Sequence, residues 1–237
     1  MSATVIIPIT GNPVCRNAIE SALNQTYPTT VYVVVDGQEF KGPSSAIVSD
    51  YLGNKNLKVC YLPINVGANG FYGHRAYAAF THLINTDYVL YLDQDVSFKP
   101  NHVQSCVELI EKKKLDWCHS LREIYDHEGN YVCRDDCESL GKYVNWQNNH
   151  HVDTNTYCLT IKTAIRLAST WHGGWGQDRI FYATAAHHYP NFDCTGDYTV
   201  KYKLAGNEGS VTKDFFAAGN KVTENYFKGN YPWRKKI

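Results

Sequence analysis

No stretch of the sequence approaches the ~18 consecutive apolar residues that a membrane-spanning helix needs. Net charge is also missing: 23 Lys and Arg offset 23 Asp and Glu. That balance removes the bulk electrostatic signature of a chain that binds nucleic acid or anionic lipid. Only Arg234-Lys235-Lys236 is locally basic, and three adjacent charges read as a solvated tail. The opening MSATVIIPIT has neither the basic region nor the small-residue cleavage site of a secretory leader, so a soluble cytoplasmic chain is the expectation. Internal repeats, low-complexity segments and linkers are absent too. A composition 43% hydrophobic and 19% charged excludes a disordered chain, and 237 residues suit one large domain. Cysteine is present, but without a framework. The eight are scattered, and Cys133 and Cys137 in CRDDC have no second pair at zinc-type spacing. Reduced, mostly buried thiols are the expectation.

What is present alternates between strands and helices. TVIIPI (4–9) reads as a buried strand, followed by Asn12 as a helix cap and Pro13 at the first helical position. VYVVVDG (31–37) is a second strand, ending at Asp36. A polar connection leads to a third, LKVCYLP (57–63). The segment NVGANGFYGHRAYAAFTHL opens with glycines and becomes a helix with Ala76, Ala79, Phe80 and Leu83 on one face. YVLYLDQD (88–95) is a fourth strand, and PNHVQSCVELIEKKK (100–114) a helix with Val103, Val107 and Ile110 inward. DWCHSLREIYDHEGNYVC reads as two strands joined by a turn at Glu128-Gly129-Asn130, and TYCLTIKTAIRLAS as a strand running into a helix. The pattern predicts an α/β fold whose mostly parallel central sheet carries helices on both faces. Ligands of such sheets bind beyond the carboxyl ends of the strands, where Asp36, Asn65, Asp93 and Asp95 fall.

Asp93 and Asp95 are two residues apart at the end of an apolar strand, so their side chains point the same way and repel. A divalent cation would reconcile them: oxygen ligands suit Mg²⁺ or Mn²⁺, which usually share coordination with substrate phosphates. Solvated turn carboxylates are the alternative. The Asp-x-Asp nucleophile of haloacid-dehalogenase-type phosphatases belongs on a first strand, whereas three strands precede this pair.

Four stretches, TVIIPITGNPVCRNAIESALNQTYP, VYVVVDG, LPINVGANGFYGHRAYAAF and YVLYLDQDVSFKP, cover residues 4–100 and together resemble the catalytic core of glycosyltransferase family 2, with its GT-A (Rossmann-like) fold. The resemblance implies that Asp36 holds the base or ribose of a nucleotide, and that Asn65, Gly67 and Arg75 lie beside it. It implies ribose-side contact for Asp93 and direct metal ligation for Asp95. Pro8 and Gln94, at the ends of the first and fourth strands, are counted with the donor-binding residues. Gly67, Gly70 and Gly73 suit close backbone approach to phosphate, and equally turn or packing needs. An ordinary surface charge is the alternative for Arg75.

The resemblance also implies a late acid, just ahead of a helix, as general base. WHGGWGQDRIFYATA (171–185) has that context. Gln177 stands where the family's Glu is expected, and Asp178 is the candidate base; an acid favoured by a helix dipole is the alternative. Trp175 and Asp153 are candidate acceptor contacts, with Asn155 beside the latter. His187 and His188 are candidate third metal ligands. Gly206, Gly209, Gly219 and Gly229 suggest a flap over the donor.

The implied activity is metal-dependent, inverting transfer of a sugar from a nucleotide donor, UDP-linked by expectation, to a hydroxyl of a glycan, glycoprotein or modified DNA base. Residues 1–100 would bind the donor and 101–237 the acceptor, within one domain. The compact core without membrane segments argues against a processive polysaccharide synthase. A virus-encoded member acting on capsid glycans is one setting. Two rivals are an inactive carbohydrate-binding module, compatible with five Trp and eighteen Tyr, and a sugar-phosphate nucleotidyltransferase. The latter's loop after the first strand does not match PITGNPVCRN.

Overall fold

A computed structural model of the protein describes residues 1–143, 145–204 and 211–235. The chain forms β1 (Ala3–Ile9), α1 (Cys15–Leu23), β2 (Thr29–Val35), α2 (Lys41–Val48), β3 (Leu57–Tyr61), α3 (His74–Thr81), β4 (Tyr88–Tyr91) and β5 (Ser97–Phe98). It continues through α4 (His102–Lys113), β6 (Trp117–Tyr125), β7 (Tyr131–Arg134), β8 (Tyr157–Thr160), α5 (Ile161–Leu167), α6 (Gln177–His188), β9 (Phe192–Lys203) and α7 (Lys213–Phe227). The strands make one sheet in the order β3-β2-β1-β4-β8-β6-β9-β5, with β7 paired to β6. β3, β2, β1 and β4 are mutually parallel. Beyond them the sheet is mixed: β8 runs antiparallel to β4 and β6, and β6 runs parallel to β9. The α/β fold with helices on both faces is therefore the one expected.

Strand alternation sorts the core into two layers. Val5, Ile7, Ile9, Val31, Val33 and Leu90 pack with Ile19 of α1 and Val103, Val107 and Ile110 of α4. Ile6, Val34, Val89 and Tyr91 face the other way, onto Phe80 of α3, Leu167 of α5 and Phe181 of α6. The buried face of α4 is the one expected. All eight cysteines are unpaired, and five are buried.

Three local expectations need correction. Helix α1 starts at Cys15, not Pro13; Asn12 accepts from the Val14 amide with Oδ1 and from the Cys15 amide with its carbonyl, making a turn ahead of the helix. The connection between β2 and β3 contains α2, which buries Ile47 and Val48. In α3 the inward residues are Ala76, Tyr77, Phe80 and Thr81, while Leu83 is 63% exposed. The last turn there tightens to three-residue hydrogen bonds, His82 to Ala79 and Leu83 to Phe80. That rotates Leu83 outward and lets Ile84 take the core position.

Candidate active site

The carboxyl ends of β1, β2 and β4 open into a cleft of about 590 Å³. Its floor is built by short-range chemistry. Asp36, just beyond β2, accepts the Val66 amide at 2.8 Å and the Gly67 amide at 2.9 Å, one on each carboxylate oxygen. The Gly67 carbonyl in turn accepts the amides of Phe71 and Tyr72. A loop folded back this tightly leaves no room for a side chain. A Cβ on Gly67 would lie 2.1 Å from the Tyr72 carbonyl oxygen and 2.7 Å from Asp36 Oδ2. Gly67→Ala should therefore destabilise the protein by ~2–4 kcal/mol and distort this wall; a chemical denaturation midpoint equal to the parent's would contradict the geometry. Burial pushes the Asp36 carboxyl above its ordinary range, and the two amides oppose the shift.

Asp93 and Asp95 follow β4. The first is held hard. Tyr77 donates to Asp93 Oδ1 at 2.7 Å, and Asn155 Nδ2 donates to Oδ2 at 2.9 Å, while Asn155 Oδ1 accepts the Asp93 amide at 2.6 Å. Burial, then the charge of Asp95, pushes the Asp93 carboxyl up to about 7, against the pull of those donors. Asp95 opens into the cleft. Although the residue is exposed, partial loss of water on its cleft side raises its pKa, as does Asp153, with Lys203 acting the other way. Both carboxyls are thus raised above their ordinary pKa, Asp93 the further. Between them Gln94 turns aside and accepts the Thr10 amide at 3.0 Å, tying β4 to β1.

On β6, Arg122 is 4% exposed and meets three carboxylates: Asp135 at 2.7 Å, Glu138 at 2.8 Å and Asp153 at 2.5 Å. Burial works against its charge, but the three acids outweigh this and hold the guanidinium well above its ordinary pKa. Asp153 spends its other oxygen on Asn155. Asp178 lies in the first turn of α6, where its Oδ1 accepts the Arg179 amide at 2.9 Å. Gln177 beside it is buried, and its amide donates to the Thr170 carbonyl. Trp175 is 84% exposed at the cleft wall.

The sequence pattern of Glycosyl transferase family 2 matches residues 4–167, more than half of the chain. The chain belongs to glycosyl transferase family 2. No curated protein matches it. Among solved structures, it is similar to a 1–349 fragment of S. aureus TarS in complex with UDP-GlcNAc, with a TM-score of 0.69 and 15% identity over 97% of this chain and 67% of the fragment. The same fragment with UDP gives a TM-score of 0.66 at 15% identity, over 97% and 66% of the two chains. A further crystal structure of the 1–349 fragment gives 0.66 and 15%, covering 86% of this chain and 60% of the fragment. The family 2 chain thus spans about two thirds or less of these fragments, a likeness of fold. Family membership sets aside the nucleotidyltransferase reading.

Pro8, Asp36, Asn65, Gly67, Asp93, Gln94, Asp95, Asp153, Trp175 and Asp178 all line the one cleft. Four other residues do not behave as expected of them. The Arg75 guanidinium lies 3.3 Å above the Phe71 ring centre, outside the lining. His187 and His188 end α6, ~14 Å along the helix from Asp178 at 1.5 Å per residue, and their rings pack edge to face against each other instead. Gly219 sits within α7 against Cys137 and Trp146, a packing position and not part of a flap. Gly206 and Gly209 lie outside the described residues. Unforeseen in the lining are Tyr72, His74, Arg122, Glu138, His151, Arg179 and Tyr202. A charged pair, Arg122-Glu123, inside the apolar strand WCHSLREIY was the available signal for the first of the ion-paired groups.

Proposed function

We propose that this family 2 chain transfers a sugar from a UDP-linked donor to an acceptor hydroxyl in a single inverting displacement, with a divalent cation bound at Asp95. The observation that carries the reading is two mutually repelling carboxylates just beyond β4 that line the same cleft as Asp178. Six carboxylates line this cleft (Asp36, Asp93, Asp95, Glu138, Asp153, Asp178) against two guanidiniums, Arg122 and Arg179. A cation fits that imbalance. Among the described residues no three His, Cys, Asp or Glu are grouped to hold a metal by themselves. This suits an ion such as Mn²⁺ or Mg²⁺ that takes one or two carboxylates and completes its shell with substrate phosphates and water. Bound there, it would offset the charge developing on the leaving diphosphate.

Asp95 is the direct ligand in this reading, and Asp93, locked by Tyr77 and Asn155, is the ribose-side acid. Asp36 keeps the Val66–Gly67 wall in place beside Asn65. Asp178, with one oxygen on the Arg179 amide, keeps the other for the acceptor hydroxyl, whose proton it removes as the oxygen attacks the anomeric carbon. The buried Gln177 amide, tied to Thr170, is a structural replacement for the family's acid and leaves the proton to its neighbour. The likeness to a TarS fragment solved with UDP-GlcNAc and with UDP supports a uridine donor.

A panel of UDP-, GDP- and dTDP-sugars incubated with the protein and Mn²⁺ tests this. A UDP-sugar should give Mn²⁺-dependent release of free UDP. Release from none of the panel would contradict the reading.

A further inference from the structure

Glu138 is held differently from the acids around it. Asp36, Asp93 and Asp153 have both carboxylate oxygens in hydrogen bonds with protein donors. Glu138 has Oε2 on Arg122 at 2.8 Å. Its Oε1 accepts only a long hydrogen bond from Arg179, at 3.5 Å, and has His151 at 3.9 Å, both longer than a charged hydrogen bond of normal strength. The backbone beneath is fixed, because the amides of Cys137, Glu138 and Ser139 converge on the Asp135 carboxylate. Glu138 is therefore a rigid, 8% exposed carboxylate with one oxygen under-satisfied, in the lining that Asp178 and Trp175 share. Arg179 connects it to Trp175, its guanidinium lying 5.7 Å from the indole centre.

Charge decides what such a place can take. Asp135, Glu138, Asp153 and Asp178 give four negative charges, and Arg122 and Arg179 two positive, leaving a net of −2. A phosphate or carboxylate on the ligand would enter against that field in a partly desolvated cleft. A sugar hydroxyl brings a donor and no charge. A flat, exposed indole face beside a fixed acceptor suits a pyranose, whose C–H face stacks while a hydroxyl donates.

We propose that Glu138 and Trp175 form an acceptor subsite for an uncharged sugar, with a sugar hydroxyl donating to Glu138 Oε1, and that phosphorylated or carboxylated acceptors are rejected. The proposal rests on the transferase reading above.

The test is saturation-transfer NMR on the protein saturated with UDP and diamagnetic Mg²⁺. The probes are methyl glycosides of glucose, galactose, mannose and N-acetylglucosamine, each beside its 6-phosphate. At least one neutral glycoside should bind, and its 6-phosphate about tenfold or more weakly; Glu138→Ala should weaken the neutral probe about tenfold or more, the size of a lost hydrogen bond to a charged group. Trp175→Ala removes an exposed side chain that cannot unfold the protein, and should show a comparable loss. Glu138→Gln keeps an acceptor oxygen and should restore part of the neutral binding while narrowing the discrimination against phosphate. Binding of no neutral glycoside, equal or tighter binding of the phosphates, or unchanged binding in both alanine variants would overturn the proposal. A UDP–Mn²⁺ titration separates the two failures. Absent UDP binding counts against the transferase reading, whereas normal UDP binding without these sugar effects counts against the subsite alone.

Discussion

Asp178→Asn is expected to lose transfer activity by ~10²–10⁴, the usual cost of removing a general base, while the protein keeps its fold and its affinity for the nucleotide. The side chain is isosteric, and its Oδ1 can still accept the Arg179 amide, so the first turn of α6 keeps its contact. What disappears is the lone pair that takes the acceptor proton. Because that proton belongs to the acceptor, turnover should fall with little change in UDP affinity. Steady-state transfer rates beside a calorimetric UDP titration separate the two quantities. Near-parental transfer with inverted anomeric configuration would remove Asp178 from the role. Asp153 is a poor replacement, since Arg122 and Asn155 occupy its carboxylate.

Asp95→Ala should abolish metal-dependent UDP binding and leave thermal stability within ~0.5 kcal/mol of the parent, as for surface changes that break no structural feature. The side chain faces the cleft, and its loss relieves the charge that helps push Asp93 up to about 7. Asp93→Ala makes the opposite case. It strands the buried Tyr77 hydroxyl and the Asn155 amide, so it should cost ~1–3 kcal/mol in stability as well as binding. Thermal melts of the two variants without metal distinguish a ligand from a clamped structural acid. Equal destabilisation by both would show that Asp95 carries structural contacts of its own.

The parallel half of the fold was legible because β1, β2 and β4 are uninterrupted apolar runs ended by turn residues, and because α1 and α4 repeat at helical spacing. The long strand β9 was not. FDCTGDYTVKYK mixes Gly196 and charged residues with apolar ones, and its half-buried pattern comes from pairing with β6 across a separation no local pattern reveals. Helix α2 hid behind Lys-Gly-Pro, and the two-residue β5 exists through its pairing with β9. At the site, residues at strand ends were foreseeable, because topology alone sends Asp36, Asp93 and Asp95 to one rim. The ion-paired group around Arg122 was not, since Asp135, Glu138 and Asp153 reach it from a turn and loops whose course depends on the tertiary fold. Arg75 lies in the helix as expected, but its guanidinium rests on Phe71, outside the cleft lining.

The most direct measurement is a calorimetric titration of UDP into the parent protein and into Asp95→Ala, each with Mn²⁺ and again after chelation. A cation bridging Asp95 and the diphosphate predicts tight binding only for the parent with Mn²⁺, and weak binding in the other three samples. UDP binding of equal strength in all four would show that neither Asp95 nor a metal takes part, and would contradict the central claim.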